Sequence, residues 1–120
     1  MKINNLYEDA NGISHWREVE IEFVEENSAG NLSATIPVKG LIFRQVPATY
    51  DLDWHPAPRR QYIVNLDQGV QITAGDGEVR TIGAGQVFLV EDTKGQGHLS
   101  KAINNQPASM VPSRVATRSS

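Results

Sequence analysis

The sequence predicts an all-β domain, a sandwich or barrel of short antiparallel strands. Runs with apolar and polar residues in alternation recur about every 8–12 residues, and no stretch sustains the 3.6-residue period of an amphipathic helix. Glycine-bearing turns separate the runs. The clearest is Ala74-Gly75-Asp76-Gly77, where Asp-Gly between β-rich segments favours a tight hairpin because both residues tolerate positive φ. No repeat at fixed spacing appears, so the strands belong to one unit. At 120 residues the chain suits one domain, burying roughly two thirds of the surface of its unfolded form.

Residues 1–15 are polar and carry Asn11-Gly12, which reads as an N-terminal arm; residues 16–115 form the domain and 116–120 a frayed tail. Trp16 to Phe23 alternates, with Val19, Ile21 and Phe23 on one face and Glu18, Glu20 and Glu22 on the other, as a strand with one wet face requires. Leu32 to Ile36 alternates again and is stopped by Pro37, which cannot donate to a ladder. Gly40 to Val46 suits a buried strand of about seven residues. Pro56 and Pro58 keep the next segment out of a central sheet and place His55 on a stiff loop or strand mouth. Strands are then expected over 61–66, 70–73, 78–82, 87–90 and 98–103, with a last short one over 110–115.

Composition removes several function classes. Eleven Lys and Arg stand against 14 Asp and Glu, a formal charge of -3, and no basic run exceeds Arg59-Arg60. That is no phosphate-tracking surface, so nucleic acid is not an expected partner. No apolar run is long enough to span a bilayer and the N-terminus lacks the apolar core of a secretion signal, so a soluble cytoplasmic protein with no membrane partner is expected. With no cysteine, a metal site would have to use His, carboxylate, amide or water ligands.

His55, Gln61 and His98 are the constellation with chemical promise, because two imidazoles and an oxygen donor make a workable divalent-metal site if strand pairing brings them together. A lone histidine is more often structural, and His15, which starts a strand without a partner motif, reads that way. Arg59 and Arg60 would point to opposite faces of a strand. One of them, with Arg60 favoured, would bind a carboxylate or phosphate in the pocket. Tyr62 offers either core or a pocket hydroxyl, and Trp54, next to two prolines, suits the rim. Glu91 ends a strand near the loop before His98, where a carboxylate could act as ligand or general base. Gly75-Asp76-Gly77 and Gly95-Gln96-Gly97 lack the pattern and following helix of a phosphate loop.

The stretch from His55 to His98 resembles the two motifs of a small single-domain cupin. The first has the form G-x5-H-x-H-x3,4-E-x6-G; His55 falls on its first histidine, Ala57 on the second, Gln61 on the glutamate and Gly69 one place beyond the final glycine. The second resembles Gly83-Ala84-Gly85-Gln86-Val87-Phe88-Leu89-Val90 with His98 after a longer loop and without the usual proline. The resemblance implies a cupin double-stranded β-helix, a jelly-roll barrel with a cavity lined by His55, Gln61 and His98. It implies a divalent transition metal (Fe, Mn, Ni or Zn) on those three residues, weakened by the loss of one imidazole and one charge.

Function then divides three ways. One is a metal-dependent enzyme of oxygenase, isomerase or lyase type acting on a small polar or anionic molecule. Another is a metal-free module that binds or senses such a molecule. Between them lies a metal-free isomerase using His98 or Glu91 as proton carrier. A homodimer is expected, with the Trp16 to Phe23 strand crossing to a partner.

Overall fold

Period-2 alternation resolves into thirteen strands in a computed structural model, which describes residues 1–116 and has no helix among them. In chain order they are β1 (Lys2–Glu8), β2 (Ser14–Glu20), β3 (Phe23–Asn27), β4 (Gly30–Ser33), β5 (Val38–Leu41), β6 (Arg44–Val46) and β7 (Asp51–His55). There follow β8 (Gln61–Asn65), β9 (Val70–Thr73), β10 (Val79–Ile82), β11 (Val87–Val90), β12 (His98–Ala102) and β13 (Ala108–Val115). A seven-stranded sheet runs β2-β1-β11-β8-β13-β5, with β6 also paired to β13; a four-stranded sheet runs β10-β9-β12-β7; β3 and β4 form a separate hairpin. Every pairing is antiparallel except that of β1 with β11. No ring of strands closes among the described residues, and no helix there is long and apolar enough to cross a membrane.

Inward residues from both large sheets merge into one core. Leu6, Trp16, Ile63, Phe88, Val90 and Met110 come from the seven-stranded sheet and Val70, Ile72 and Ile82 from the four-stranded one. The hairpin expected at 74–77 is present, with Gly77 at positive φ and Ala74 N–H donating to Glu78 O at 2.9 Å. Strands β8 to β13 lie where alternation and turn chemistry predict them.

Four expectations before β7 and at the C-terminus need revision or fall outside view. Residues 2–8 are no arm but a strand inside the larger sheet, with Ile3, Asn5 and Leu6 buried. Asn5 disguised it. Its amide is buried yet fully engaged, donating to Leu89 O at 3.0 Å and Glu91 Oε1 at 2.8 Å while its oxygen accepts from Arg17 Nε at 2.6 Å, so burial carries no penalty. The strand from Trp16 ends at Glu20, and Phe23 opens the hairpin instead of finishing that strand. The segment 40–46 is not one buried strand: it divides into β5 and β6, leaving Leu41, Ile42 and Phe43 exposed. The expected tail lies, beyond Ala116, outside the described residues.

Candidate functional site

Strand pairing carries His55 and His98 to one place. They sit opposite each other at the ends of β7 and β12, with ring centroids 4.5 Å apart. Gly97 makes the approach possible. It adopts φ +84°, and a Cβ there would overlap the His55 carbonyl, so only glycine fits. The proline loop after β7 is fastened alongside by Ala57 N–H donating to Asp92 O at 3.0 Å.

Each ring is oriented through one nitrogen. His55 Nδ1–H donates to the carbonyl of Asp53 at 2.7 Å; because that acceptor has no proton to give, Nδ1 must carry one. His98 Nδ1 lies 2.6 Å from Asp92 Oδ2, a contact in which both residues are buried. A carboxylate in that position fixes the tautomer and the orientation of the ring. The Nε2 atoms of both rings have no hydrogen-bond partner among the described residues. The Gln61 amide, buried on β8, has none either.

These groups line a cavity of about 60 Å³ between the sheets, with Ile63, Ile72, Phe88 and Met110 forming apolar wall and Ser100 adding a hydroxyl. A guanidinium completes it. Arg44 reaches in from β6, donating to the Tyr50 hydroxyl at 3.2 Å with its charge 5.3 Å from the Tyr50 ring centre. No carboxylate pairs with Arg44 among the described residues.

Four residues expected at the site lie elsewhere. Glu91 and Arg60 pair with each other, Arg60 Nε to Glu91 Oε2 at 2.8 Å, outside the cavity lining. The cause is alternation: Phe88 and Val90 point inward, so Glu91 turns out and Asp92 turns in. Tyr62 faces away from the cavity for the same reason, between inward Gln61 and Ile63. Trp54 is exposed and lines no wall of it. The cation in the cavity wall is therefore Arg44, and the inward carboxylate is Asp92, which lines no part of the cavity and bears on it only through His98. Both were findable: extending the β11 alternation by one step selects Asp92, and Arg44 shares a face with buried Val46.

His15 forms a second histidine cluster on the surface. Its Nε2 lies 2.7 Å from Asp9 and its Nδ1 2.8 Å from Asp76. Hydrogen bonds first to Asp9 and then to Asp76 hold its pKa above the usual histidine value. In return the His15 bond lowers Asp9; Asp76 is lowered chiefly by the Glu78 N–H, with His15 adding to it.

The donor set does not match a resident metal centre of usual composition. His55 and His98 each have an available Nε2 and Gln61 an amide oxygen, but no group of three or more His, Cys, Asp or Glu among the described residues could hold an ion. Asp92, the nearest carboxylate, is committed to His98 Nδ1. No family model matches this chain, and no curated protein gives a significant match.

Proposed function

We propose that this chain is a cupin-like jelly roll that binds a small anionic molecule, of the carboxylate class, in the cavity between its sheets. The observation that carries the reading is the convergence of Arg44, His55, His98 and Gln61 on one cavity with no acidic partner for the arginine among the described residues. Buried polar groups without protein partners cost free energy unless something hydrogen-bonds them. A guanidinium already steadied by Tyr50 is preorganised for a carboxylate, and the imidazoles supply further polar contacts.

Size narrows the ligand. One water occupies about 10–15 Å³ of such space, so the cavity admits a molecule of about four to six non-hydrogen atoms. His98, oriented by Asp92, can accept a proton from a bound acid at Nε2, which makes proton transfer the chemistry best supported if turnover occurs.

Calorimetry with glycolate and with neutral acetamide tests the reading. Glycolate is expected to bind, acetamide not, and Arg44→Met is expected to weaken glycolate at least about tenfold through loss of one charge-assisted contact. Equal binding of both compounds, or an Arg44→Met variant that binds glycolate as tightly as the parent, would overturn it.

A further inference from the structure

Every residue from Glu22 to Phe43 is exposed. That run includes Phe23, Val24, Leu32, Leu41, Ile42 and Phe43, the last 83% exposed. The β3–β4 hairpin belongs to neither large sheet, and a solitary two-stranded hairpin is marginal in water without something packed on it. Strand β5, at the other end of the segment, is the open edge of the seven-stranded sheet, an arrangement that invites a further strand. Apolar area of this extent on one segment marks a contact surface.

Charge indicates what covers it. The hairpin and its approach carry Glu22, Glu25 and Glu26, none of them ion-paired among the described residues. Beside β5 lies a groove of about 210 Å³ with Leu41, Ile42 and Pro112 in its walls and Arg59 and Arg114 among its lining residues. Neither arginine is ion-paired among the described residues. One acidic apolar projection and one basic apolar groove on the same chain are mutually complementary.

We propose that the partner is a second copy of this chain, the hairpin of each copy seated against β5 and the groove of the other. Two such contacts related by a two-fold axis close the assembly and cover both surfaces at once. The element that crosses is then the hairpin, not the Trp16 to Phe23 strand. Gln61 lines both groove and cavity, so the docked hairpin lies one side chain from the ligand site. The dimer does not depend on what that site binds.

Sedimentation equilibrium on the full chain tests it with two charge-reversed variants. One carries Glu22→Lys, Glu25→Lys and Glu26→Lys in the hairpin; the other carries Arg59→Glu and Arg114→Glu in the groove. The parent is expected to be dimeric, and each variant alone to dissociate at least about tenfold more readily because like charges then face each other. Mixed in equal amounts, the two variants are expected to recover a dimer, since both contacts of the mixed pair regain opposite charges. A parent that stays monomeric up to about 100 μM, or that forms a ladder of larger species, would overturn the proposal. So would variants that retain the parent's circular dichroism yet fail to associate when mixed.

Discussion

Two histidines in this molecule touch an aspartate carboxylate, and they are put to opposite uses. His15 spends both ring nitrogens, one on Asp9 and the other on Asp76, and so ties β2 to the turn before it and to the 74–77 hairpin. His98 spends one nitrogen on Asp92 and leaves the other facing a cavity. The first arrangement is a fastening, because nothing remains to meet a ligand. The second is a site, because the buried carboxylate orients a base without saturating it. The number of partners, rather than the presence of a histidine–carboxylate contact, separates structure from chemistry here.

Removing Asp92 strikes the comparison hardest. Asp92→Ala deletes a charge-assisted hydrogen bond in the interior, where such bonds contribute about 1.5–3 kcal/mol, and releases the His98 ring. Chemical denaturation is expected to show a loss of that order together with weaker glycolate binding. Asp92→Asn, which still offers an oxygen to the Nδ1 proton, is expected to cost less. If both variants denature with the parent, Asp92 is not what orients His98.

Gln61 sharpens the contrast from the other side. Its amide lies in the cavity wall without a protein partner, so it adds little to folding and is left to a ligand. Gln61→Met keeps the volume and removes the polar group, and is expected to stabilise the apo protein by about 1 kcal/mol. Glycolate affinity falls in the same variant. A variant less stable than the parent would mean that the amide is satisfied within the fold.

The distribution of what could be read from sequence follows the same physics. Strands β8 to β13 are legible because they carry alternation or, in β11, an unbroken apolar run, and because Asp-Gly and glycine-bearing turns separate several of them. His55, Gln61 and His98 are brought together as a set by β7, β8 and β12. Charge alone does not separate Glu91 from Asp92; the inward sense of the strand does, and it selects Asp92. Arg60 is near His55 in sequence, but Arg44 is the arginine that reaches the cavity, because adjacency in sequence is not adjacency across the core. Strand β1 was missed because Asn5 satisfies itself through contacts to residues 89, 91 and 17 that no local pattern reveals. Leu32 to Ile36 and Gly40 to Val46 read as ordinary strands from local pattern, which cannot show that the apolar residues of 22–43 have no cover within one chain.

The smallest expected effect belongs to His15, and it is distinguished by its pH dependence. The folded protein holds the His15 proton more tightly than a free imidazole of pKa 6.5 would, so this contribution to stability is complete below 6.5 and fades as pH rises through the elevated folded value. Asp9 and Asp76 shift the other way, below 3.8, so their contribution is present above 3.8 and is lost as pH falls through their lowered values. The fastening is therefore strongest between those limits. Because the cluster is partly exposed, solvent screening keeps its effect small. The melting-temperature gap between the parent and His15→Gln is expected to be widest near about pH 5 and to narrow toward about pH 9, with glycolate binding unchanged. A gap independent of pH would mean that His15 contributes packing alone, and a loss of binding would erase the distinction between the two histidines.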